Sequence, residues 1–191
     1  MHHHIITTGI SLITNWMNAQ TPRSNLQDAI RHHTSVRDQF LADPLRTSAE
    51  INSLNARTDF LKNPTTSDLG VTLVYTTTEE GKLVYSIIEK YLKSKGIGRI
   101  DSMPVKGLNK PAGDATPDWA QQNVTEALEG LRDGVERHIS KLRSGSPAPN
   151  IEINCTGGYK AETAILYSLG QKLDIPVYYL HESFKTCVVL P

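Results

Sequence analysis

Asn150-Ile151-Glu152-Ile153-Asn154-Cys155-Thr156-Gly157-Gly158-Tyr159-Lys160-Ala161 decides the fold. Ile151 and Ile153 make a short apolar strand that runs into Thr156-Gly157-Gly158. Beyond Lys160 the apolar spacing changes, and Ile165, Leu166, Leu169 and Leu173 recur at helical intervals. Strand, glycine turn and helix in that order build a parallel α/β sheet. Two glycines let a backbone pass close to a ligand without Cβ obstruction. The helix behind them opens with unpaired N–H groups and a partial positive charge, which favours anions and phosphate above all. Lys160 adds a full charge at the same spot.

The other end of the chain carries a similar unit. Ile5-Ile6-Thr7-Thr8-Gly9-Ile10-Ser11-Leu12 reads as an apolar strand, a glycine turn, a hydroxyl and a helix start. Ser11 occupies the position expected of an N-cap, and its hydroxyl is also a candidate ligand contact. In a parallel sheet such turns emerge at the carboxyl edge, where ligands bind. Two phosphate-friendly turns on one edge suggest one site made by both.

Between these ends the pattern alternates. A helix is expected from Ser11 to Ala19, another from Asn25 to Ala42, ended by Asp43-Pro44, and a third from Thr47 with a capping-box-like Thr47-x-x-Glu50. These make a helical insertion at about 20–57, and Arg46 in its linker is either a ligand contact or a solvated surface residue. Val71–Thr76 reads as the second strand, and Leu83, Val84, Ile87, Ile88, Tyr91 and Leu92 mark the helix after it. A third strand near Arg99–Val105 ends in Lys106-Gly107-Leu108-Asn109-Lys110, whose two lysines either face solvent or cover an anion. Val124, Leu128, Leu131, Val135, Ile139 and Leu142 form a long amphipathic helix. Ile175–His181 is a strand, and Glu182–Lys185 is too short for a crossover, so Thr186–Leu190 closes an antiparallel hairpin. The fold expected is α/β and Rossmann-like: a mainly parallel sheet with helices on both faces and an antiparallel C-terminal edge hairpin, forming a single domain over 1–191.

Composition removes several function classes. Twenty basic residues balance twenty acidic ones. Proteins that coat long nucleic acid show a basic excess, so any polyanion bound here is small and held in a pocket. No apolar run approaches the ~20 residues of a membrane span. The N-terminus lacks a signal-peptide shape, and a cytoplasmic location is expected. Cys155 and Cys187 read as small reduced thiols, and no Cys/His spacing resembles a zinc site. His2-His3-His4 reads as the lead-in to the first strand, and neither metal nor cofactor is expected. Dinucleotide chemistry would need G-x-G-x-x-G, but only Gly9-Ile10-Ser11 is present. A Walker lysine pattern and a nucleophile elbow with its triad are also missing.

Thr8-Gly9-Ile10-Ser11-Leu12-Ile13-Thr14-Asn15 resembles the first motif of the CRISPR-associated Rossmann-fold (CARF) domains. Asn154-Cys155-Thr156-Gly157-Gly158-Tyr159-Lys160-Ala161 resembles their second, N-x-T-G-G-x-K. Ser48–Leu54 and the ending from Val177 to Pro191 are similar as well. The first motif often reads G-T-S, and Ile10 here replaces the threonine.

This resemblance implies a homodimer whose two-fold axis runs through a shared pocket for a cyclic oligoadenylate, most commonly cyclic tetra-adenylate. Thr8, Gly9, Ile10, Asn15, Thr156, Gly157, Gly158, Tyr159 and Lys106 would bind it. With no effector domain after Pro191, the first expectation is a stand-alone ring nuclease that works without metal. Lys160 would stabilise the phosphorane, and Ser11 would orient the phosphate or the 2′-OH. No general base stands out, and His181 at a neighbouring strand end reads as packed. Two rival readings stand: a non-catalytic sensor domain of a larger effector, and an unrelated nucleotide-binding Rossmann protein.

Overall fold

The computed structural model describes residues 1–62, 66–106, 117–181 and 186–191, with the backbone alone for 117–120. The chain runs β1 (His2–Thr7), α1 (Ser11–Ala19), α2 (Leu26–Arg31), α3 (His33–Ala42), α4 (Pro44–Thr47), α5 (Ala49–Thr58), a 3-10 turn (Thr66–Asp68), β2 (Leu69–Thr76), α6 (Glu79–Ser94), β3 (Arg99–Val105), α7 (Pro117–Arg143), β4 (Asn150–Asn154), α8 (Lys160–Leu173), β5 (Val177–His181) and β6 (Thr186–Val189). One six-stranded sheet has the order β3-β2-β1-β4-β5-β6. Every pairing is parallel except β5–β6, where Leu180 faces Cys187 and His181 faces Thr186. The α/β fold with its antiparallel edge is therefore as expected. The connection 182–185 and the loop containing Lys110 lie outside the described residues.

Side chains alternate across the strands and feed two cores. Ile6, Val71 and Leu73 pack with α1, α3, α5 and α6 on one face. Ile5, Val74, Ile153 and Val177 pack with α7 and α8 on the other. The crossovers through α1 and α6 cover only the β1–β3 half of the first face. The insertion helix α5 lies against β1, β4, β5 and β6 and covers the rest. Its position brings residues 48–53 to the middle of the sheet, where the strand order reverses.

Several local expectations need correction. Ser11 is the first residue of α1, and Ile10 holds the cap position without a side-chain cap bond. The stretch 25–42 is two helices that meet at His32, whose ring stacks on Trp16 at 6.1 Å and whose Nδ1 lies 2.8 Å from Asp28 O. The helix before Asp43-Pro44 ends at Ala42, as expected, and Pro44 then starts the short α4, capped by Asp43. This is where proline is tolerated, because the N–H it lacks has no intrahelical partner there. The cap of α5 is Ser48, which accepts from the Ile51 amide at 3.3 Å, so Thr47-x-x-Glu50 is not a capping box. His2–His4 belong to β1 itself, and His3 and His4 are buried.

Candidate functional site

β1 and β4 are neighbours, and the sheet winds outward from them in both directions. A crevice opens beyond the carboxyl ends of two such strands. The two glycine turns leave from this place and touch each other there. A Cβ on Gly9 would lie 2.9 Å from the Gly158 amide nitrogen. One on Gly157 would lie 2.5 Å from Glu50 Oε1 and 2.6 Å from the Thr7 carbonyl oxygen. Gly158 has φ +91°, a conformation natural only to glycine. Buried Thr7 donates from Oγ1 to Gly157 O at 2.6 Å and locks the two turns together.

Glu50 completes the junction. Its side chain reaches back from the first turn of α5 and is 1% exposed. Oε1 accepts the Gly9 amide at 2.7 Å. Oε2 accepts Ser48 Oγ at 2.7 Å and Ser11 Oγ at 3.3 Å. Burial pushes the Glu50 carboxyl above the ordinary glutamate range, opposed by the hydrogen bonds it accepts. The N-termini of α1 and α5 meet here, since the Ala49 amide donates to Ser11 Oγ at 3.4 Å. The sequence places Glu50 in a helix start, where a glutamate normally faces water.

The second turn is held by its own network. Asn154 is fully buried. Its Oδ1 accepts the Thr156 amide at 3.0 Å and Thr156 Oγ1 at 2.7 Å, while Nδ2 donates to Ser53 Oγ at 2.7 Å. Thr156 Oγ1 then accepts the Leu180 amide of β5 at 3.0 Å. At the head of α8, Glu162 Oε2 accepts the Tyr159 amide at 2.7 Å. Burial raises the pKa of Glu162 as well. Lys160, Ala161 and Glu162 follow as the first helical residues, whose N–H groups have no intrahelical partner.

A cleft of about 580 Å³ opens beside the junction and includes Ser11, Asn15, Arg46, Asn52, Thr156 and His181 in its lining. Asn15 is fixed by donating to Thr47 O at 3.0 Å. Thr8 faces away from the cleft: both its amide and its hydroxyl bond Val74 O, at 2.8 and 3.0 Å. Ile10, Gly158, Tyr159 and Lys160 are exposed around the junction but are not cleft-lining residues. Lys106 follows β3, two strands from β1, roughly 10 Å across the sheet. It lines a different cleft, with Arg137, His138 and Lys141. Thus the structure brings Ser11, Asn15 and Thr156 together and sets Lys106 apart. In the sequence Arg46 is either a ligand contact or a solvated residue, His181 looks packed and nothing singles out Asn52, yet all three line the cleft. Cys155 also lines the cleft, but burial pushes its thiol up to about 12, so it stays protonated and unreactive. Both cysteines are free, as expected.

Among the described residues, His3, Asp101 and His138 are those that could hold a metal ion, with ligand atoms within 4.8 Å of one another. They lie on the α7 face, away from the glycine turns. Thr72 Oγ1 already lies 2.7 Å from Nε2 of both imidazoles, and Arg99 Nε lies 2.7 Å from Asp101 Oδ2. Burial lowers the His3 pKa to about 4 and lowers that of His138, so both are neutral near pH 7. A dication would have to displace the Arg99 guanidinium. No helix among the described residues is long and apolar enough to cross a membrane.

No match was found among curated proteins. Residues 45–191 match the family model described as CRISPR-associated protein (Cas_APE2256). That span begins after Ser11 and takes in Glu50, the whole second glycine motif and every strand but the first. It covers well over half of the sequence, and the chain therefore belongs to the Cas_APE2256 family of CRISPR-associated proteins.

Proposed function

We propose that this protein binds a cyclic oligoadenylate, foremost cyclic tetra-adenylate, and cleaves it without metal to linear di-adenylate with 2′,3′-cyclic phosphate ends. Such an activity would switch off the messenger of type III CRISPR defence. One observation carries the reading: the glycine turns after β1 and β4 meet within contact distance at the reversal of strand order. A site of this kind offers backbone N–H groups and helix N-termini to phosphate. CRISPR-family membership and the resemblance of both turns to CARF motifs support this choice of ligand.

The ring is larger than one cleft, and a second copy related by a two-fold axis would double each element. Four turns, two Lys160 side chains and two clefts would then surround four phosphates. Ile10 and Tyr159, 38% and 56% exposed at the turns, are apolar surface suited to that contact.

In the reaction, a ribose 2′-oxygen attacks the adjacent phosphorus and the bond to the 5′-oxygen breaks. The protein's contribution is alignment and charge stabilisation. Lys160 would neutralise the growing phosphorane charge, and Ser11 would contact the 2′-OH from the cleft.

The test is incubation with cyclic tetra-adenylate in EDTA, with products separated by chromatography. Linear di-adenylate bearing a cyclic phosphate, lost in Lys160→Ala, is the expected result. A ring that is bound but returned intact makes the protein a sensor, and a ring neither bound nor cut removes the messenger reading.

A further inference from the structure

The junction contains a group that the proposed reaction lacks, a proton acceptor. Cleavage by a 2′-oxygen needs its proton removed. Glu50 is a carboxylate of the junction, yet at 1% exposure it cannot touch a ligand itself. Among the described residues, its hydrogen-bond partner in the cleft lining is Ser11, which is half-buried and lies 3.3 Å from Glu50 Oε2.

That bond has a direction. An ionised carboxylate only accepts, so Ser11 Oγ must donate to it. The hydroxyl has then spent its hydrogen on Glu50. One lone pair receives the Ala49 amide at 3.4 Å, and the other is left for the cleft. Ser11 therefore meets a ligand as an acceptor, the role suited to a ribose 2′-OH and unsuited to a phosphate oxygen. The carboxylate is fixed by stronger donors on either side, Gly9 N–H and Ser48 O–H, both at 2.7 Å.

We propose that Glu50 is a positioning residue of this reaction, fixing Ser11 as an acceptor toward the ribose 2′-OH and receiving the proton that Ser11 passes on; the proposal rests on the ring-cleavage reading. The 2′-OH gives its proton to Ser11 Oγ as Ser11 Oγ gives its own to Glu50 Oε2. The 2′-oxygen forms its bond to phosphorus. The bond from phosphorus to the 5′-oxygen breaks with its electron pair on oxygen, which takes a proton from water. Glu50 returns its proton through Ser11 to water, and the enzyme is restored with no net proton gained. The 3.3 Å separation is long for such a bond, as expected of a relay that tightens when ligand binds. Burial that raises the carboxyl pKa also makes it a stronger base than an exposed glutamate.

The test is single-turnover cleavage of cyclic tetra-adenylate from pH 4.5 to 8, with ring affinity measured in parallel. Wild type should gain rate with rising pH through a limb above the ordinary glutamate range. Glu50→Gln cannot accept a proton and would donate to Ser11, reversing that bond. It should keep ring affinity within about threefold, lose roughly 100-fold in rate and lose the limb. Ser11→Ala should match it, and the double variant should cost no more than either change alone. A Glu50→Gln enzyme that cleaves like wild type, or that loses affinity and rate in equal measure, overturns the relay while ring cleavage stands. A flat wild-type profile overturns it without any mutation. A wild type that leaves the ring intact overturns the ring-cleavage reading and the relay together.

Discussion

Glu50 Oε1 accepts the Gly9 amide at 2.7 Å across 41 positions of sequence. The same oxygen is the nearest obstacle to a side chain on Gly157. One buried carboxylate thus sets the separation of the two turns on which the proposed site depends.

Gly157→Ala tests that packing. The new methyl would meet Glu50 Oε1 at 2.5 Å and the Thr7 carbonyl at 2.6 Å, and the carbonyl belongs to a strand that cannot give way. Overpacking of this kind should cost about 1–3 kcal/mol, read from a denaturant midpoint shift at unchanged slope. Wild-type stability in the variant would show that Gly157 is not packed against Glu50 and Thr7.

Asn154→Ala removes the centre of the network behind the second turn. Thr156 loses the acceptor for its amide and hydroxyl, and Ser53 loses a donor. The expected loss is about 2–3 kcal/mol, because buried polar groups are left unsatisfied. Ser53→Ala, which removes only one of these bonds, should cost less. Equal losses would contradict the placement of Asn154 at the hub.

Acid should destabilise the amino end of the sheet. Burial lowers the pKa of His3 and of His4 from 6.5 to about 4. The unfolded chain therefore binds more protons between these values, and stability rises with pH through that window and is lost as pH falls toward 4. The loss is on the order of 3 kcal/mol per histidine at most. Denaturant midpoints at several pH values check this, and His4→Leu should flatten the slope. Glu50 and Glu162 act in the opposite sense. Their raised values make the folded state bind more protons above the ordinary glutamate range, so each lowers stability as pH rises through its own folded value. A slope between pH 4 and 6.5 that His4→Leu leaves unchanged would contradict the burial of that imidazole.

The thiols offer a fourth check. Cys155 is buried and held protonated up to about 12, whereas Cys187 is only half-buried. Iodoacetamide at pH 8 should modify Cys187 well before Cys155 in the folded protein, as read by mass spectrometry. Faster labelling of Cys155 would mean that the cleft is open to its floor.

Both glycine turns were legible in the sequence because each combines signals that act locally: an apolar strand, a glycine, a hydroxyl and a helical period. The strand positions and the antiparallel end followed from the same signals and from connection length. Glu50 was not legible. A glutamate beside Ser48 at a helix start reads as a solvated capping residue, and its burial arises only when α5 crosses the sheet to meet Gly9. Ser11 was located but misassigned locally. Serine at a strand-to-helix turn reads as a cap, whereas its oxygen is engaged by Glu50 and the Ala49 amide. The break at His32 had no glycine or proline to announce it, since contacts with Trp16 and Asp28 accompany it.

The most direct measurement of the central claim is calorimetric titration of the protein with cyclic tetra-adenylate and, separately, with linear tetra-adenylate, using Lys160→Ala to prevent turnover. Paired glycine turns from two copies predict one ring per two chains and binding of the linear form weaker by about tenfold or more, since the ring is already shaped for the site. Equal affinity for both forms, or one ring per single chain, would contradict a shared ring-binding site at the junction of β1 and β4.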